Sequence, residues 1–70
     1  MMPLNFAEKG KDHLIKKVGG SAEVKSHLED LGFVAGGTVN VVSAVGDNLI
    51  VSVKGSRIAL SGELARRIMI

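Results

Sequence analysis

Val24, Leu28 and Leu31 recur at i, i+4 and i+7 with polar residues between them, the spacing that lines one face of an α-helix. Ser21 stands ahead of this run as its N-cap, Glu23 occupies the first turn, and Gly32 follows with the freedom to close the helix in a left-handed conformation. Residues 21–31 therefore read as a helix, set between Gly19-Gly20 and Gly32. Beyond a turn-rich connector at residues 33–37 the pattern changes period. Residues 38–45 are rich in β-branched side chains and begin by alternating, and after Gly46-Asp47-Asn48 the chain places Leu49, Val51 and Val53 on one face. Together these two runs predict a β-hairpin with a short loop. Past Gly55-Ser56, residues 57–60 alternate again with Ile58 and Leu60 on one face, residues 61–65 have room for a single helical turn, and residues 66–70 form a closing strand. Upstream, residues 12–18 read as one extended segment whose apolar positions separate cleanly onto neither face.

Five short strands and one helix make a mainly β protein. So small a sheet must close on itself or cover its edges. The expected architecture is a small SH3-like five-stranded barrel, with one α-helix inserted after the first long strand and a short helical turn before the last strand. A split sheet with the helix packed across it is the alternative. Residues 1–70 form a single domain, without repeat, linker or low-complexity tract.

Composition narrows the chemistry. Apolar residues make up 46% of the chain, yet Phe6 and Phe33 are its only aromatic residues, so the core must be built from aliphatic side chains. The absence of cysteine removes disulfides, thiolate metal sites and cysteine nucleophiles together, and points to the cytoplasm. No apolar run reaches the length that crosses a bilayer, and the first residues lack the basic start and apolar core of a signal peptide. The expectation is a protein without membrane insertion, peripheral at most to the inner face of the cell membrane through a partner. Residues 1–35 balance five Lys against five Asp or Glu, so the net charge of +2 arises in the second half, where Lys54, Arg57, Arg66 and Arg67 outnumber Asp47 and Glu63. That excess is small beside the footprint of nucleic-acid domains, and without Tyr or Trp the chain lacks stacking platforms for single strands. Nucleic-acid binding by an SH3-like barrel stands as the alternative function. The serines and histidines show no nucleophile elbow or other catalytic spacing, so no enzyme activity is expected.

The order of signals resembles the FeoA family. Leu31-Gly32-Phe33, Gly36 and Thr38-Val39 carry the resemblance after the helix, and Ile58-Ala59-Leu60 with Glu63-Leu64-Ala65 carry it before the last strand. It extends from about Leu4 to Ile70. It implies an SH3-like barrel and a role in bacterial ferrous iron transport beside FeoB, a membrane transporter with a cytoplasmic GTP-binding domain. The same fold occurs as the C-terminal domain of metal-dependent repressors, a second relationship open to this chain, which has no winged-helix portion.

Iron transport directs attention to metal ligands. Glu23, His27 and Asp30 sit at i, i+4 and i+7 on the expected helix, a spacing that can bring carboxylate and imidazole around one ion, while a solvated polar face predicts the same pattern. The solvated face is the preferred reading, so no cofactor is required and any divalent ion held there would be adventitious. His13 is isolated. Gly19-Gly20 is the one candidate phosphate nest, but it lacks the Lys and Ser or Thr of a P-loop. For a protein partner, the candidate contacts are Arg57, Arg66 and Arg67, whose guanidinium groups suit acidic surfaces, with Val34 and Phe33. For Phe33 a place in the core, as a plug for the barrel end, is preferred over a role as anchor. An unpaired barrel edge would also permit self-association.

Overall fold

A computed structural model describes all residues from Met1 to Ile70. Its core consists of fourteen buried hydrophobic residues, led by Phe33, Leu4, Ile15, Leu28, Leu60 and Ile68. The helix α1 spans Ala22–Leu31, and Ser21 Oγ accepts a hydrogen bond from Val24 N–H at 3.2 Å. Gly32 ends it at φ 109° with its N–H bonded back to the last turn. Leu28 is fully buried, and Val24 and Leu31 pack beside it against the core, as the heptad-like spacing requires.

The strands are six rather than five. β1 (Asp12–Leu14), β3 (Thr38–Val45), β4 (Asn48–Val53) and β5 (Ser56–Leu60) form an antiparallel sheet in the order β1-β3-β4-β5. β2 (Lys17–Val18) pairs with β6 (Ile68–Met69) in a second, two-stranded sheet. The expected single strand at 12–18 is thus divided between the sheets, and the helix follows two short strands instead of one long one. Ile15 marks the change of partner. Its N–H donates to Gly37 O at 2.8 Å on the β3 side, whereas the N–H of Lys16 donates to Met69 O at 2.8 Å on the β6 side. Because Ile15 is wholly buried at this corner, the segment cannot keep one regular alternation.

In the β3–β4 pair the register shifts between Val41 and Ser43. Val42 is the extra residue of a β-bulge, which leaves Val41 in the core and turns Val42 outward. The turn that follows uses Gly46 at φ 59°, the one positive-φ residue of its loop, as a II′ hairpin does. The β4–β5 turn is of the I′ kind, with Lys54 at φ 49° and Gly55 at φ 77°.

No ladder joins β5 to β6. Between them the chain forms α2 (Gly62–Ala65), capped by Ser61 Oγ, which accepts from Leu64 N–H at 3.2 Å. The N-terminal segment completes this end: Leu4–Phe6 form a 3-10 turn that buries Leu4, and Met2 exchanges two backbone hydrogen bonds with Ile70 at 3.0 and 2.9 Å. β6 therefore runs between β2 on one side and the first residues of the chain on the other. The result is an SH3-like β domain whose barrel is left partly open.

Candidate functional site

Three cationic side chains come together where β2, the turn before α1 and the segment after α2 converge. Lys17, Gly19, Gly20, Arg66, Arg67, Met69 and Met1 line a groove of about 240 Å³. Its walls are fixed by backbone pairing. Gly19 N–H donates to Arg67 O at 2.7 Å, and the N–H groups of Arg66 and Arg67 donate to Gly62 O and Leu64 O at 3.1 and 3.0 Å. Gly20 adopts φ +99°, and a Cβ there would come within 3.1 Å of Val24 and 3.6 Å of the Arg67 stem. The glycine lets the turn pass close beneath the arginine.

Three cations line this groove and no carboxylate does. Arg66 Nη2 has one partner, Asp47 Oδ2, at 3.6 Å with both side chains largely exposed, a pair worth at most about 1 kcal/mol. Neither Lys17 nor Arg67 has an acidic partner within ion-pair distance. The adjoining N-terminus of α1 adds the positive end of its dipole. The arrangement can receive carboxylate or phosphate groups, since guanidinium donors bind both in a forked geometry. It contains no nucleophile, histidine or acid–base pair.

The sequence candidates fare differently. Arg66 and Arg67 come together, with Lys17 as a third member that the sequence reading did not include. Arg57 lies elsewhere, on β5 opposite Ser52, and lines neither groove of the protein. Phe33 is fully buried in the core, the place the sequence favoured for it, and this burial overturns its alternative role as a partner contact. Val34 beside it is half-buried. The exposed phenylalanine is Phe6, at 71%. Glu23, His27 and Asp30 all project from α1 into solvent, and no group of three acidic or histidine side chains assembles anywhere as a ligand set. No second element reaches over the helix to complete one. The ring of His13 is engaged locally, its Nε2–H donating to Glu8 O at 3.0 Å.

A second, wider groove of about 460 Å³ runs along the outer edge of β1, lined by Met1, Met2, Asp12, His13, Leu14, Lys16 and Ile70. Nothing in the residue pattern marked it, because it depends on the division of the 12–18 segment between two sheets. Leu14 is 54% exposed there and Met1 77%.

Fold and surface together define a small SH3-like β domain with two surface grooves. The chain belongs to the FeoA domain family, whose profile matches residues 2–70. It is 33% identical over 70 residues to a curated protein of Methanocaldococcus jannaschii named "Putative Fe(2+) transport protein A", covering all of this chain and 85% of that protein. Among solved structures it superposes on Stenotrophomonas maltophilia FeoA, described with bound zinc as a prokaryotic SH3 domain protein. The TM-score is 0.85 and the identity 27%, over 99% of this chain and 88% of that one. The zinc-bound protein ScaR contains the same fold at a TM-score of 0.85 and 21% identity, over 97% of this chain and 35% of ScaR. No helix of this protein is long and apolar enough to cross a membrane.

Proposed function

We propose that this protein is a cytoplasmic accessory of ferrous iron uptake that acts by binding a FeoB-type membrane transporter, on its GTP-binding domain, without catalysing a reaction itself. The observation that carries this reading is the groove of Lys17, Arg66 and Arg67, three cations held by backbone pairing with a single weak acidic partner among them. Such a site receives an acidic surface through charge-assisted hydrogen bonds, and it steers association through its field. Family membership supplies the pathway. Guanine-nucleotide chemistry belongs in this reading to the partner, and the chain needs no resident cofactor for its part.

The test is a titration of the isotope-labelled protein with the GTP-binding domain of a FeoB-type transporter from the same organism, with and without guanine nucleotide. Amide shifts should move at Lys17, Gly19, Gly20, Arg66 and Arg67, and binding should weaken as salt is raised. Absence of binding to both the isolated domain and the full-length transporter would end the proposal.

A further inference from the structure

The edge of β1 is built differently from the other free edge of its sheet. β5 exposes Arg57 and Ala59 along an edge with no groove beside it, and a charged side chain is a common guard against strand addition. β1 instead presents Leu14, 54% exposed, against a groove of about 460 Å³ with Met1, Met2 and Ile70 on its other wall.

Backbone polarity follows from the hydrogen bonds. Ile15 N–H donates to Gly37 O, and Gly36 N–H donates to Ile15 O, each at 2.8 Å, so the backbone of Ile15 faces the β3 side. In an antiparallel ladder the facing alternates from residue to residue. His13, in register with Val39, therefore also faces β3, while the N–H and C=O groups of Asp12 and Leu14 face the groove. No turn or loop hydrogen bond uses those four groups.

The neighbouring ladder stops at the same place. β6 pairs with β2 up to the bond from Lys16 N–H to Met69 O, and at Ile70 the pairing passes to Met2 on the opposite side. A strand continuing in the direction of β6 would run antiparallel to β1 and meet the outward groups of Leu14 and Asp12 in turn. Alternating donors and acceptors of this kind are satisfied together by another extended backbone. The apolar walls ask that backbone for aliphatic side chains.

We infer that the β1 edge is a strand-addition site, which takes an extended aliphatic segment of a protein partner running antiparallel to β1. The site adjoins the arginine groove at Met1 but does not depend on the function proposed above. Main-chain bonds at Asp12 and Leu14 hold the segment, and Met1, Met2, Leu14 and Ile70 enclose its alternate side chains. The flexible methionines adapt to more than one residue type.

Two forms of the full chain test this by amide hydrogen exchange. One carries a Thr-Val-Thr-Val extension after Ile70, which supplies the strand at the effective concentration of a tether, on the order of millimolar. The other is the unextended chain with a blocked Lys-Thr-Val-Thr-Val-Thr-Glu peptide added at millimolar concentration. Exchange at Asp12 and Leu14 should slow by about tenfold or more in the extended chain, and the same two amides should shift with the free peptide. Leu14→Pro removes one outward donor without removing a hydrogen bond of the β3 ladder, so it should abolish both effects at Asp12, the amide that remains to report them. Leu14→Lys, which keeps the backbone donor and guards the edge, should weaken peptide binding if the proline variant fails to fold. Unchanged exchange in the extended chain overturns the inference. So does concentration-dependent dimerisation of the unextended chain that protects the same amides, because the occupant would then be a second copy.

Discussion

Gly62 begins α2 directly against the β3–β4 turn, and Gly62→Ala probes how tightly the two are joined. Gly62 is buried, and a Cβ built on it would overlap the carbonyl oxygen of Asp47 and lie 2.5 and 2.6 Å from its carboxylate Oδ2 and Cγ. The carboxylate can swing away, but the carbonyl moves only with the hairpin. Overfilling a packed contact costs about 1–3 kcal/mol, and the better helix propensity of alanine returns up to about 1 kcal/mol. A net loss of about 1–2 kcal/mol is expected, in a domain whose whole stability is about 4–10 kcal/mol at this length. Thermal unfolding should register it as a fall of roughly 4–8 °C for each kcal/mol. Gly19→Ala is the control, since its Cβ would meet nothing nearer than 3.6 Å, and it should leave Tm almost unchanged. The displaced turn should also shift the amides of Gly46 and Asp47 and the side-chain amide of Asn5, whose Nδ2–H donates to Gly62 O at 3.3 Å. A Gly62→Ala protein as stable as the parent would refute the packing argument.

Phe33→Ala empties the largest fully buried side chain and should cost about 3–5 kcal/mol in urea unfolding, enough to leave much of the population unfolded at 37 °C. Lys54→Asn places a residue tolerant of positive φ at the first position of the β4–β5 turn and should raise stability by about 0.5–1 kcal/mol, read from the denaturation midpoint at constant m-value. Arg66→Glu with Arg67→Glu should leave the fold intact by circular dichroism, both side chains being exposed. It should lower affinity for the transporter's GTP-binding domain by about tenfold or more, and unchanged affinity would remove the groove from the proposed interface. Arg57→Glu, outside that groove, should have little effect on the same titration.

The elements legible in the sequence are those whose local signals agree with their packing. Ser21, the run Val24–Leu28–Leu31 and Gly32 each specify the same helix, and the alternation of Leu49, Val51 and Val53 states which face of β4 is inside. The N-terminal third was less legible. Leu4 is buried in a 3-10 turn that packs near α2, and no periodicity announces a turn of three residues. Residues 12–18 read as a single ambiguous strand because Ile15 sits at the corner between two sheets, where alternation resets. Of the candidate surface, the pairing of Arg66 with Arg67 was visible as neighbours in sequence, but the addition of Lys17 required the β2–β6 ladder. Phe33 beside a glycine-rich connector suits an anchor or a core plug, and in a chain with only two aromatic residues the plug is the better reading, as its burial shows.

The bonds between Met2 and Ile70 also bear on when the protein can fold. Met2 and Pro3 pair with Ile70 and Met69 at the far end of the domain, so the N-terminal segment lacks its partner until β6 has been made. The helix and the two hairpins can form from local contacts as they appear. The β2 edge, in contrast, stays unpaired until Ile68 and Met69 arrive. Completion of the domain is thereby tied to the arrival of β6, and a chain stalled before Ile68 would leave an open sheet for the cell's quality control to find.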